Sequence, residues 1–147
     1  MSATEVSKLR EETGAGILDC KKALDEAGGD LEKATEILRA KGIAKADKKS
    51  DRAIGASHME AYIHDGRIGV LVQMGAETDF VTRNEDFKAG AHNIAMHIAA
   101  MGSETVEELL LQQYMLNPEI TVAEYLKSLV GRIGENIQVI RFTRYEA

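Results

Sequence analysis

The sequence ETDFVTRNEDF, at residues 77–87, decides how the rest of the chain is divided. It separates an apolar run typical of a strand, residues 68–74, from a periodic segment typical of a helix, residues 84–101. Within it, Phe80 stands among charged neighbours in a chain with only 5% aromatic residues. Two interpretations stay open. Phe80 and Val81 either pack into the core, as Phe usually does, or the loop presents them to a partner.

The segments on both sides of this stretch predict a small α+β domain. Residues 57–74 indicate a β-hairpin: Met59, Ala61 and Ile63 alternate with polar neighbours, Asp65-Gly66 supplies a tight turn, and the apolar run 68–74 is the returning strand. On the other side we expect a helix capped by Asn84, a short helix over 105–111, a break at Pro118, a helix that begins at Thr121 and a last strand over 136–145. Together these elements predict a three-stranded antiparallel sheet with three helices.

The first 42 residues predict three short helices, the third of which should end before Gly42. Residues 43–52 carry four basic and two acidic side chains, a pattern of solvated chain or of a short helix. We therefore divide the chain into a helical domain (1–42), a linker (43–52) and a core domain (53–147).

Composition excludes several classes of protein. The net charge is -6; residues 1–52 hold 11 basic and 11 acidic residues, which leaves 7 and 13 of the total 18 and 24 for the rest. A general nucleic-acid binder would need a basic face. Cys20 is the single cysteine, and neither it nor the pair His92 and His97 has the spacing of metal ligands. We expect both histidines at polar-face or boundary positions of their helix. No phosphate-binding loop, nucleophile-base motif or cofactor motif occurs, so we expect neither an enzyme nor a metal.

Apolar runs are too short for a membrane helix, and the N-terminus is polar and unlike a signal peptide. The expected location is the cytoplasm.

Three blocks resemble the elongation factor Ts family: LREETGAGILDCKKAL at residues 9–24, ETDFV at 77–81, and GENI at 134–137 followed by Arg141-Phe142. The resemblance implies a guanine-nucleotide exchange factor for elongation factor Tu in translation elongation. It also implies that the N-terminal three-helix bundle is similar to a ubiquitin-associated (UBA) domain. Gly75-Ala76 and a shortened region after Ala100 depart from the family's pattern.

The resemblance also implies which residues contact elongation factor Tu; carried over position by position, they are Arg10, Ile17, Leu18, Thr78, Asp79, Phe80, Val81, Ile133 and Gly134. Phe80 would insert near the magnesium side of the partner's nucleotide site, supported by Asp79. Ile17 and Leu18 could instead be core residues, and because neighbouring helical residues point about 100° apart, we expect only one of them to be well exposed.

Two further hypotheses concern partners. A small adaptor, whose UBA-like module binds a protein without exchange activity, is the alternative function, but it accounts only for the first 42 residues. A homodimer is the expected assembly, because alternation in the last strand puts Ile137, Val139 and Tyr145 on one face and Ile140 and Phe142 on the other.

Overall fold

In the computed structural model, which describes residues 2–147, helices lie on one face of a sheet and three more helices precede it. The elements in chain order are α1 (Ala3–Thr13), α2 (Ile17–Glu26), α3 (Leu31–Lys49), β1 (Ala56–His64), β2 (Ile68–Ala76), α4 (Asp79–Thr82), α5 (Glu85–Met101), α6 (Val106–Leu111), β3 (Gln113–Tyr114), β4 (Asn117–Thr121), α7 (Val122–Ile133) and β5 (Ile137–Glu146). The predicted α+β class is confirmed.

The main sheet has three antiparallel strands, as predicted, and their order is β1-β2-β5. Its hairpin connects His64 to Ile68 through residues 65–67. Asp65 and Gly66 have positive φ angles of 51° and 65°, and the Arg67 N–H donates to the His64 carbonyl at 2.9 Å, which closes a tight turn. The inner face, formed by Val70, Val72 and other buried side chains, packs on α5. Among residues 2–147, no helix covers the outer face of the sheet, where Met59, Ile63 and Leu71 are exposed.

A β-bulge in β5 corrects the predicted alternation. The register shifts where Gln73 pairs with Arg141 and Met74 with Val139, so Ile140 is an extra residue. Val139 is therefore buried, and Phe142 packs against the same core. Because a bulge reverses the alternation, the prediction that these two residues face opposite sides was wrong.

Helices α1, α2 and α3 form a three-helix bundle around a small core of its own, made of Val6, Leu9, Cys20, Ala23, Leu24, Ala34 and Leu38. The third helix does not end before Gly42, as predicted, but continues to Lys49. Gly42 lies where α3 crosses α7, and a side chain at Gly131 would come within 2.7 Å of the Gly42 Cα. Here glycine permits a close helix crossing and does not end the helix.

The second half of α3 joins the main core, in which Ala46 is buried. Residues 43–49 are therefore helical, which is the second of the two alternatives for segment 43–52, and of that segment only Ala46 is buried. The division into domains at residues 42 and 53 stays a prediction.

Two local features differ from the sequence interpretation. A short hairpin, β3 and β4, occupies the region of Pro118, where only a helix break was expected. His97 is fully buried, although a polar-face or boundary position was predicted. Its Nε2 lies 2.9 Å from Gln112 Oε1, and its Nδ1 lies 3.1 Å from the backbone N–H of Met115. These two partners satisfy both ring nitrogens inside the core.

Candidate partner-binding site

The short helix α4 presents Phe80 to solvent. Thr78 caps this single turn, and its Oγ1 accepts a hydrogen bond from the Val81 N–H at 3.5 Å. Val81 and Thr82 are buried and fix the turn to the domain, whereas Phe80 is 85% exposed. The core interpretation of this pair was therefore right for Val81 and wrong for Phe80. Aromatic side chains are enriched in protein–protein interfaces, so this exposed ring on a fixed turn is a candidate contact with a partner.

Asp79 is the first residue of α4 and is also exposed. Its backbone carbonyl accepts a hydrogen bond from Thr82 Oγ1 at 3.1 Å, which helps to close the turn. A carboxylate at the first helical position suits the helix dipole. The turn thus exposes a negative charge and an aromatic ring side by side.

Glu135, which is distant in sequence, holds this turn. Its Oε1 accepts the Thr78 backbone N–H at 3.0 Å, and its Oε2 accepts the Thr78 hydroxyl at 2.8 Å. Sequence reasoning quoted Glu135 within the GENI block but gave it no role. The two residues are 57 positions apart, so no local signal in the sequence could have indicated the contact.

The backbone around Glu135 is fixed in turn by the end of α3. Lys49 Nζ donates to the Gly134 carbonyl at 3.0 Å. Asn136, which is 96% buried, donates from Nδ2 to the Arg52 carbonyl at 2.8 Å. Arg52 Nε lies 3.6 Å from Glu77 Oε1, so an ion pair joins this region to the residue before the cap. We refer to Lys49, Arg52, Glu77, Thr78, Glu135 and Asn136 as the anchor cluster.

Ile133 and Gly134 lie at the edge of the anchor cluster. Ile133 is the last residue of α7 and packs partly against the main core. Gly134 ends the helix with a φ of 96°, a conformation that favours glycine. The structure therefore brings Thr78, Gly134 and Phe80 into one region of the surface.

Arg10, Ile17 and Leu18 form a second group on the N-terminal bundle. Ile17 is 49% and Leu18 71% exposed, so the prediction that only one would be well exposed was wrong. Both lie in the first turn of α2, ahead of Cys20, where the buried face of that helix begins. Arg10 and Ile17 line a groove of about 540 Å³ between α1 and α2. This group and the Phe80 turn lie on different parts of the fold. Helices α1 and α2 pack on α3, whereas α4 packs on β1, β2 and α5.

Residues 2–147 contain no cluster of three or more His, Cys, Asp or Glu side chains arranged to hold a metal ion. Within the same residues, no helix combines the length and the apolar character needed to cross a bilayer.

Comparison with known proteins decides the family. The family profile described as elongation factor TS matches residues 77–147, which contain the Phe80 turn and the Gly134 loop. A relative from Alkaliphilus metalliredigens, "Elongation factor Ts", is 38% identical over 191 residues, covering 99% of this chain and 89% of its own length. The chain belongs to the elongation factor Ts family.

Other elongation factor Ts relatives differ in how much of them this chain covers. The Thermotoga petrophila relative is 42% identical over 185 residues and is covered over 93% of its length. The Nostoc punctiforme relative is 48% identical over 146 residues, yet these are only 46% of its length. The alignments with the Alkaliphilus and Thermotoga relatives span 191 and 185 residues, more than the 147 residues of this chain. These two relatives therefore contain segments without a counterpart here.

Proposed function

We propose that this protein promotes the release of GDP from elongation factor Tu during translation elongation in the cytoplasm. The observation that carries the proposal is the 85% exposure of Phe80 on a capped, anchored turn within the ETDFV block of an elongation factor Ts chain. A ring so exposed contributes little to this fold. Its hydrophobic energy is gained only when a partner buries it.

In the proposed mechanism, Phe80 enters between helices of the partner's nucleotide domain near the magnesium ion, and Asp79 supports that arrangement. Guanine-nucleotide proteins hold the phosphates through backbone amides and magnesium. A partner that prefers the distorted nucleotide site must weaken GDP binding, and GDP must weaken the partner by the same factor. A thousandfold faster release needs a barrier lower by about 4 kcal/mol. Burying one Phe ring supplies roughly 1.5 to 3 kcal/mol of this.

The remaining contacts supply affinity in this proposal. Arg10, Ile17 and Leu18 bind the nucleotide domain from the N-terminal bundle, which we take to be UBA-like and to form a domain of its own. Their exposure and the groove beside them support this role. Gly134 and Ile133 would contact the partner next to the Phe80 turn. The mechanism requires no nucleic acid and no metal or cofactor bound to this chain.

The decisive experiment measures the release of labelled GDP from purified elongation factor Tu against increasing concentrations of this protein. The expected result is a saturable acceleration of release. Binding to elongation factor Tu without acceleration would contradict the proposal and favour the adaptor function.

We further propose that the protein is a homodimer that binds two molecules of elongation factor Tu, with the outer face of the sheet as the dimer interface. This face carries five exposed large apolar side chains: Met59, Ile63, Leu71, Ile140 and Tyr145. Ile140, the extra residue of the bulge, extends over Gly75, where a side chain would come within 2.9 Å of its Cδ1. An uncovered sheet face of this kind favours pairing with a symmetric copy.

Light scattering behind a sizing column tests the assembly. A dimer gives twice the chain mass of 16.1 kDa, and Leu71→Glu, at the centre of the outer face, should convert it to the monomer. A wild-type mass near that of one chain at micromolar concentration would refute the dimer.

A further inference from the structure

We propose that Glu135 is a positioning residue for exchange: its carboxylate fixes Thr78 and thereby holds Phe80 in the orientation that enters the partner. The inference rests on the proposed exchange function and adds to it a residue that acts through Thr78. It follows from the contact between the 134–136 loop and the cap of α4.

The turn needs an external support because it is so short. Helix α4 has four residues, and a single turn fixes several backbone angles in exchange for little hydrogen bonding. Glu135 provides two charge-assisted hydrogen bonds at the point where the turn begins, to the N–H and the hydroxyl of Thr78. Because the hydroxyl donates to Glu135, its lone pairs remain available to the Val81 N–H. One carboxylate thus sets both the backbone and the cap.

Glu135 can act in this way because its own backbone is held. Gly134 turns the chain out of α7, and its carbonyl is bound by Lys49. On the other side, the buried Asn136 amide bonds the carbonyls of Ser50 and Arg52 at 3.3 and 2.8 Å. The carboxylate is therefore presented from a loop fixed at both neighbours. A flexible surface glutamate could not restrict the turn in the same manner.

The functional consequence is pre-organisation. Without Glu135, the Thr78 end of α4 loses two bonds, while Val81 and Thr82 stay buried and keep the turn attached. The fold survives, but Phe80 samples more orientations, and each binding event must then order the turn. Because the ring is used in displacing GDP, the saturated rate of release should decrease more than the affinity for the partner.

The test uses the full chain with Glu135→Ala, Glu135→Gln and the control Glu107→Ala, which changes an exposed glutamate on α6. We expect Glu135→Ala to lower the saturated GDP release rate about tenfold, equivalent to about 1.4 kcal/mol. Glu135→Gln keeps one acceptor oxygen and should show an intermediate rate, and Glu107→Ala should match the wild type. The half-saturating concentration should change less than the rate, and thermal melting should show each variant folded at the assay temperature.

A double variant separates positioning from direct contact. In a Phe80→Ala background, Glu135→Ala should have almost no further effect, because the group that it positions is gone. If Glu135→Ala lowered the saturated rate by the same factor in the Phe80→Ala background as in the wild type, Glu135 would act on the partner itself and the proposal would be overturned. So would an unchanged saturated rate in Glu135→Ala.

The proposed function fails in a different way. If the wild-type protein does not accelerate GDP release, or if Phe80→Ala keeps the full rate, the exchange mechanism itself is wrong. A rate that decreases in Phe80→Ala but not in Glu135→Ala refutes only the positioning role.

Discussion

Replacing Phe80 by Ala is the change that most directly tests how this protein acts. Because the ring is 85% exposed, its removal deletes almost no contact within the chain. Surface substitutions of this kind usually change the free energy of unfolding by less than about 0.5 kcal/mol. The melting temperature of Phe80→Ala should therefore stay within a few degrees of the wild-type value.

The effect on exchange should be much larger. If the partner buries the whole ring in the nucleotide-displaced state, its loss removes roughly 1.5 to 3 kcal/mol. At about 1.4 kcal/mol per factor of ten, the saturated rate should decrease by about 10- to 150-fold. The assay follows labelled GDP leaving elongation factor Tu after unlabelled nucleotide is added in excess, over a series of exchange-factor concentrations.

Two control variants define what the result means. Leu111→Ala removes a side chain that is 79% exposed on α6 and should leave the rate unchanged. Val81→Ala removes a buried neighbour in the same turn and should lower the melting temperature. The reasoning is refuted if Phe80→Ala melts many degrees lower while its folded fraction exchanges GDP at the full rate.

Three further predictions concern other parts of the chain. Gly131→Ala should destabilise the fold by about 1 to 3 kcal/mol, because the new Cβ would lie 2.7 Å from the Gly42 Cα. Gly42→Ala should be neutral or stabilising, because its Cβ would lie 4.0 Å from the Gly131 Cα. Equal melting temperatures for the two variants would contradict this prediction. Burial lowers the pKa of His97 below its ordinary value of 6.5, against the opposing effect of its Gln112 hydrogen bond. As the pH falls, His97 is therefore protonated more readily in the unfolded chain than in the folded one, and the free energy of unfolding should decrease below about pH 6.5. Denaturant titrations that give the same free energy of unfolding at about pH 7.5 and about pH 5.5 would disprove this. Replacing Ile17 and Leu18 together by Ala should raise the half-saturating concentration for GDP release and leave the saturated rate unchanged. Contacts that stabilise the ground state and the transition state equally affect affinity alone. A lower saturated rate at unchanged affinity would show that these two residues act on the rate of release and not on affinity.

Local signals in the sequence predicted most of the helices and strands. The Asp65-Gly66 turn and the Asn84 cap each have a mechanism that acts over a few residues, and the structure has both where they were expected. The features that were missed depend on long-range packing. Gly42 resembles a helix end until α7 is placed against it, and His97 resembles a boundary residue until Gln112 and Met115 provide its partners.

The candidate site shows the same limit. Charged neighbours and the family resemblance together indicated Phe80, but the periodicity of one turn could not show that Val81 is buried and Phe80 exposed. The support from Glu135 spans 57 positions and becomes visible only when β2 and β5 are paired. Pairwise contacts across such distances leave no pattern in a single sequence.

The position of β5 beside β2 has a consequence for the order of folding. A chain that has not yet placed its last strand can form the β1-β2 hairpin and α5, since these contacts are local. It cannot yet place Glu135 against Thr78, because that loop immediately precedes β5. The support of the Phe80 turn is thus completed in a non-local step, after its loop-closure entropy has been overcome. During refolding, protection of the α5 amides from hydrogen exchange should therefore appear before the GDP-release activity returns. Partly folded chains should not compete for elongation factor Tu through this turn.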